Sequence, residues 1–273
     1  TSFAQDFDHV SNAADTGFST GNGYGNLTIY ASGDGPHHIV TKSASGDYAV
    51  VTQTGSGPFT QFGGYDSNFD GGFKTSVDIY LDPSQITSGQ GFDYSVAASR
   101  QDGSFLRDFI FHVANVGGDL LVGASNNTSF DPDLNLPNET HAAIAAAGWY
   151  TFEEVFHDAG DGTLAVDLVV RDASGAVVFT QTLNDAADTL ANIVGGNRYG
   201  WFTNIDVTDG IAIDNVSLTK ADAHFTATSF TGSLHESAGA DGLASLTLAG
   251  ITEGAAVTDA SGTALKAGGQ DVH

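Results

Sequence analysis

The sequence has no cysteine, no methionine, only five prolines and only eight lysines and arginines. Without cysteine there is no disulfide framework, so the fold must be held by its own core. Against the eight basic residues stand 33 acidic ones, a formal charge of −25, although charged residues make up only 15% of the chain. The imbalance therefore comes from missing Lys and Arg and not from acidic blocks. Such a surface repels phosphate backbones and anionic lipid, which excludes nucleic acid and the membrane surface as partners. No apolar run approaches the roughly 20 residues that span a bilayer, so membrane insertion is excluded as well. The N-terminus also lacks a basic segment followed by an apolar core, so no signal peptide is visible. With no Met at position 1, the expectation is a processed chain or a piece of a longer one.

What is present is ample for a core: 41% of 273 residues are apolar, and 35 glycines without a G-X-Y period imply many tight turns. Period-2 alternation dominates. Phe73 to Leu81 places Phe73, Thr75, Val77, Ile79 and Leu81 on one face. Similar runs cover Phe92 to Ser99, Phe105 to Val113, Tyr150 to His157, Leu164 to Arg171 and Tyr199 to Val207. Turn clusters such as Gly117-Gly118, Asp158 to Gly162 and Gly195-Gly196 separate them. Many short strands joined in this way predict an all-β sandwich or barrel. Two Ala-rich stretches, His141 to Gly148 and Asp185 to Asn192, are expected to make a helical turn or two.

After Leu218 the character changes. Residues 220–224 look like a linker, and 225–273 read as a small or partial β module. Its larger apolars are Phe225, Phe230, Leu234, Leu243, Leu246, Leu248, Ile251, Val257 and Leu265. Burying each stabilises by about 1.5–3 kcal/mol, whereas ordering each residue of a small module costs about 1.5 kcal/mol. Such a segment must lean on something else, and self-association through it is the expected solution.

Certain stretches resemble known families. Phe3-Ala-Gln-Asp-Phe-Asp8 and Gly210-Ile-Ala-Ile-Asp-Asn-Val-Ser-Leu218 resemble the first and last strands of bacterial exported jelly-roll modules, of the carbohydrate-binding-module and laminin-G or concanavalin-like kinds. Arg107 to His112, Ser125 to Thr128 and Gly195 to Tyr199 resemble uncharacterised exported proteins of the same class. The resemblance covers residues 1–219. It implies a jelly-roll β-sandwich, a glycan ligand, an extracellular or cell-surface location, and a structural Ca²⁺ near Asp214 of the closing strand. Ala244 to Gly262 resembles the start of an adhesin-type repeat module, which implies a chain that continues past His273. The glycine-rich Ca²⁺ nonapeptides of such adhesins are not present.

Alternation also sorts the polar side chains. With the large apolars inward, the opposite faces collect Tyr80 and Asp78, Ser95 and Ser99, Asp108 and His112, Glu153 and His157, and Asp167 and Arg171. Were these strands neighbours in one sheet, its exposed face would be a polar groove offering sugar hydroxyls donors, acceptors and, from Tyr80 with Trp149 or Trp201, a flat apolar platform. A wet sheet face is polar in any case. Asp108 and Glu153 are a candidate pair for glycosidase chemistry, which needs two carboxylates about 5–10 Å apart. His112, Tyr80 and Arg171 are candidates for a lyase. His112, His157, Asp108 and Glu153 could take Zn²⁺ if they converged. Asp131-Pro-Asp-Leu-Asn-Leu-Pro-Asn-Glu139 places oxygen ligands at Asp131, Asp133, Asn135 and Glu139, echoing the start of an EF-hand loop, but lacks the glycine and bidentate glutamate of that motif. No phosphate cradle, nucleophile elbow or Ser/His/Asp ordering presents itself.

The sequence thus points to a calcium-stabilised module that binds polysaccharide or cell-surface glycan. The alternatives are a building block of a surface layer or fibre, and a polysaccharide lyase or glycoside hydrolase.

Overall fold

The computed structural model describes residues 3–220, together with 266–267 and 270–271. The chain divides into two compact units, Thr1–Thr228 and Ser229–His273. In the second unit Lys266–Ala267 pairs antiparallel with Gln270–Asp271. Otherwise the expected module at 225–273, its alternating run and its self-association lie outside the described residues.

The first unit is a jelly-roll β-sandwich of two antiparallel sheets. Sheet 1 contains β1 (Phe3–Gln5), β3 (Tyr24–Ala31), β4 (Asp47–Gly55), β6 (Phe73–Leu81), β11 (Gly148–Asp158), β12 (Thr163–Arg171), β13 (Val177–Thr189) and β15 (Ile211–Lys220). Its order is β13-β12-β11-β6-β15-β4-β3, and β1 pairs with β15 in the register Phe3 to Leu218. The opening and closing strands are therefore neighbours. Sheet 2 contains β2 (Phe18–Ser19), β5 (Phe59–Thr60), β7 (Gly91–Arg100), β8 (Phe105–Val116), β9 (Asp119–Ser125), β10 (His141–Ala143) and β14 (Val194–Asp206), in the order β10-β9-β8-β7-β14-β5-β2.

The alternating apolars face each other between the sheets. Phe109 and Phe111 of β8 meet Phe156 and Phe152 of β11 edge-to-face, at centroid distances of 5.4 and 5.0 Å. Each such pair adds about 0.5–1.5 kcal/mol to the burial of its rings. Glu154, on the same inward row as Phe152 and Phe156, is fully buried in this apolar layer.

Neither Ala-rich stretch is helical, and each is in part a strand. His141–Ala143 pairs with β9 and is followed by the core residue Ile144. Residues 185–189 complete β13, where the buried Asp188 accepts from Arg107 Nε at 2.7 Å and Nη2 at 3.1 Å. Edge pairing and this forked ion pair override alanine's helix propensity. The α-helical residues among those described are Pro132–Asn135, a single turn.

The β8–β9 hairpin sets the register that matters below. Its two-residue turn has Gly117 and Gly118 at φ 66° and 106°, values that glycine adopts without strain. The Asn115 side chain accepts from Gly118 N–H at 2.9 Å. As a result Ile110 lies opposite Ser125, and His112 lies opposite Gly123.

Candidate functional site

The polar candidates do face away from the core, but on two different sheets. Tyr80, Glu153, His157 and Arg171 stand on the outer face of sheet 1, whereas Asp108, His112 and Trp201 stand on the outer face of sheet 2. The hydrophobic layer separates the two sets. Asp108 and Glu153 therefore do not form a glycosidase pair, His112 does not join Tyr80 and Arg171 as a lyase trio, and the four groups suggested for zinc do not converge.

On sheet 1 the charges neutralise one another. Asp78 accepts from Lys42 at 2.6 Å and from the Thr151 hydroxyl at 2.5 Å. Glu153 is clamped between Lys74 and Arg171, with the Arg171 Nε at 2.9 Å. Burial raises the Glu153 carboxyl, but the hydrogen bonds from Lys74 and Arg171 outweigh it and leave the group below its ordinary value. His157 pairs with Asp167 at 2.9 Å, and that hydrogen bond raises its imidazole pKa. Trp149 is covered: its indole N–H donates to Val40 O at 2.7 Å, and Tyr80 and Tyr48 pack edge-on against it. The space beside Tyr80 is about 40 Å³, room for water and not for a sugar ring.

Sheet 2 is different. Register places three cross-strand rows on its outer face. The first runs Tyr199–Ala97–Asp108, the second Phe59–Trp201–Ser95–Ile110–Ser125, and the third Thr203–Asp93–His112–Gly123. At one end Tyr199 and Trp201 meet edge-to-face at 5.9 Å, each half-buried, with the Trp201 indole fixed by Gly57 O at 2.9 Å. Beside them Asp108 accepts from the Ser95 and Tyr199 hydroxyls at 2.9 and 3.0 Å. Burial holds the Asp108 carboxyl above its ordinary value despite both bonds. Burial and the neighbouring Asp108 likewise raise the Tyr199 phenol.

In the third row His112 is 1% exposed. Its Nδ1 lies 2.6 Å from Asp93 Oδ1, and its Nε2 lies 2.7 Å from the Ser125 hydroxyl. Asn204 Nδ2 donates to the other Asp93 oxygen at 2.7 Å. Phe130 stacks on the imidazole at 4.1 Å and 12°. The segment bearing Phe130 wraps over the end of the sheet because Leu136, fully buried, fills the space that Gly123 leaves open; a Cβ there would lie 2.4 Å from Leu136 Cδ2.

That segment also contains the proposed calcium loop. Asp131 caps the helical turn, accepting from Asp133 N–H at 3.0 Å, and Asn135 accepts from Asp131 N–H at 2.8 Å. Glu139 follows the turn, its carbonyl oxygen 2.8 Å from His141 Nδ1. Asp131 and Asp133, with Asp93, Asn204, Asp206 and Phe130, line a cleft of about 430 Å³. Asp214 lies elsewhere, on the outer face of sheet 1 opposite Asp78. Burial raises its carboxyl to about 7, and the charges of Asp78, Asp8 and Asp6 add to the effect. Among the described residues no three His, Asp or Glu side chains are arranged to hold a metal ion. No described helix is long and apolar enough to cross a membrane.

Sequence reasoning missed Asp93, Ser125, Tyr199 and Asn204. The signal that joins them is register across three strands, which alternation within a strand does not carry.

Neither a protein-family model nor a curated protein matches the sequence. Among solved structures the chain is similar to the carbohydrate esterase from Shiga toxin-encoding bacteriophage phi24B, at 14% identity over 79% of this chain and 96% of that one, with a TM-score of 0.47. It is similar to the marine PL-14 alginate lyase from Aplysia kurodai at 12% identity over 81% and 98% of the two chains, with a TM-score of 0.41. The Ca²⁺-bound exoplasmic/lumenal domain of VIP36 gives 12% identity over 81% and 90%, with a TM-score of 0.43. At these identities the likeness concerns the fold alone. The chain is a jelly-roll sandwich with a polar, aromatic-edged outer face on sheet 2.

Proposed function

We propose that this chain is an extracellular glycan-binding or adhesion module of a larger bacterial surface protein, and that the outer face of sheet 2 takes the glycan. The observation that carries the reading is the row of Phe59, Trp201 and Ser95 beside Tyr199 and Asp108. Half-buried rings give a sugar an apolar platform, while the Tyr199 hydroxyl, held by its bond to Asp108, gives an acceptor at a fixed position. On sheet 1 the corresponding charges are already paired. A desolvated face with fixed hydrogen-bonding groups costs little reorganisation when a ligand arrives.

Calcium is the stabilising ion in this reading, and its support is electrostatic. Eight basic residues face 33 acidic ones, and burial raises Asp214 to about 7, with a smaller addition from the repulsion of Asp78, Asp8 and Asp6. A hard divalent cation suits carboxylate oxygens and relieves that repulsion. The test of the function is a broad glycan array probed with the full chain and with Trp201→Ala. Selective wild-type binding that Trp201→Ala loses supports the reading, and silence across the array overturns it.

A further inference from the structure

Asp93, His112 and Ser125 form a hydrogen-bonded chain whose direction can be deduced. Asn204 Nδ2 is a donor only, so the Asp93 Oδ2 that it contacts at 2.7 Å is an acceptor. As a carboxylate, Asp93 accepts at Oδ1 as well, so the His112 Nδ1, 2.6 Å away, is the nitrogen that bears the proton. In the neutral imidazole Nε2 then carries the lone pair. The group facing it at 2.7 Å is the Ser125 hydroxyl, which must donate. Its alternative acceptor, Asn127 O, is farther away at 3.2 Å. The serine proton is thus directed at a base, and that base is oriented by a buried carboxylate.

The surroundings separate this chain from an ordinary buried polar network. His112 and Asp93 are 1% and 7% exposed, and Phe130 lies flat on the imidazole, so base and orienter have one fixed geometry. Ser125, by contrast, ends β9 and is half-exposed beside the exposed residues 126–129. The backbone N–H of Asn127 donates to the Ser125 oxygen at 3.2 Å and fixes the position of the side chain. A nucleophile open to solvent, a base within hydrogen-bond reach and a third group that orients the base are what activates a serine hydroxyl.

We propose that Ser125 is the nucleophile of an ester hydrolysis, with His112 as general base and Asp93 as the carboxylate that positions it. The Ser125 oxygen bonds to the ester carbonyl carbon while its proton passes to His112 Nε2. The tetrahedral adduct collapses, the alkoxide leaves, and it takes that proton from His112. Water then attacks the acyl-serine and gives a proton to His112. Collapse returns that proton to the Ser125 oxygen and releases the carboxylic acid. Since Ser125, Ser95 and Trp201 share one cross-strand row, the ester would be an O-acyl group of the bound glycan. That substrate class rests on the proposed function, whereas the nucleophile rests on side-chain geometry alone.

The experiment treats the full chain with a fluorophosphonate probe and with 4-nitrophenyl acetate, followed by intact mass and peptide mapping. The expected result is one adduct, on Ser125, and ester turnover above background. Ser125→Ala, checked for an unchanged melting curve, should lose both. Asp93→Asn should keep Ser125 in place yet slow turnover by about 10²–10⁴-fold. No adduct at Ser125 with the probe and no turnover at any pH would overturn the proposal, as would equal turnover by Ser125→Ala. A separate arm compares acetate release from an O-acetylated polysaccharide with its deacetylated form. Release that Ser125→Ala abolishes supports the glycan ester. Labelling of Ser125 with no release overturns the substrate class and leaves the nucleophile standing. Failure of the array overturns glycan binding without touching the labelling result.

Discussion

Glu154 makes the stability of this sandwich fall as pH rises, and Glu154→Gln isolates the effect. The side chain is 0% exposed in the inter-sheet layer. Neither of its carboxylate oxygens has a hydrogen-bond partner among the described residues, and the same holds for Thr75 Oγ1 and Tyr94 Oη. Thr75 is its cross-strand neighbour, and the Tyr94 phenol is raised by burial and then by the charge of Glu154. Burial, with a smaller contribution from Asp108, drives the Glu154 carboxyl well above its ordinary value of 4.5. The folded state therefore holds a proton that the unfolded chain releases. With more protons bound in the native state, unfolding free energy falls with pH. This contribution is fully present below the ordinary value and is lost as pH rises through the folded one. One proton is worth about 1.4 kcal/mol per pH unit. The loss accumulates above pH 4.5 for as long as the folded group remains protonated. Glu154→Gln has no proton to lose. The assay is urea denaturation of both proteins at several pH values from about 5 to 9. The expected outcome is near-equal stability at the acid end and an advantage for the variant that grows as pH rises. A difference between the two proteins that stays constant across pH would refute the reasoning.

Other perturbations have equally definite outcomes. Chelation with excess EDTA should lower the melting temperature, since a ligand present at a hundredfold excess over its Kd adds about 2.7 kcal/mol to the native state. An unchanged melting curve, with no metal found by elemental analysis, would contradict the calcium reading. Gly57→Ala should destabilise by about 1–3 kcal/mol, because a Cβ there would lie 1.9 Å from Phe202 O and would push β14 away from the chain that fixes the Trp201 indole. An unchanged urea midpoint would show that this contact relaxes freely.

Strand identity was legible because large apolar residues recur at every second position in β6 and β12 and, apart from Glu154, in β11. Tyr80, Asp108, His112, Glu153, His157 and Arg171 all stand on faces turned away from the inter-sheet core, where Asp108, His112 and Glu153 are nonetheless buried. What alternation could not reveal is which of two sheets each face belongs to. β6 pairs with β11 and β15, far along the chain, and such long-range register leaves no local trace. The two outer faces, one neutralised by ion pairs and one aromatic-edged, therefore merged into a single expected groove. The same gap hides the Asp93–His112–Ser125 chain, because the partner of His112 comes from the opposite position on β7. At Asp131 to Asn135 the Asp131 carboxylate caps a helical turn and the Asn135 side chain accepts from Asp131 N–H, bonds that the oxygen spacing alone does not reveal. Glu154 broke the pattern outright, as a carboxyl in a row otherwise filled by Tyr150, Phe152 and Phe156.

The central claim is that the outer face of sheet 2, and not that of sheet 1, binds glycan. It is tested most directly by titrating the best array oligosaccharide calorimetrically into wild type, Trp201→Ala and Tyr80→Ala. Loss of an aromatic platform costs about 1.5–3 kcal/mol of apolar burial, so Trp201→Ala should weaken binding by about tenfold or more. Tyr80→Ala, on the opposite face, should bind like wild type. Full binding by Trp201→Ala, together with loss in Tyr80→Ala, would contradict the claim.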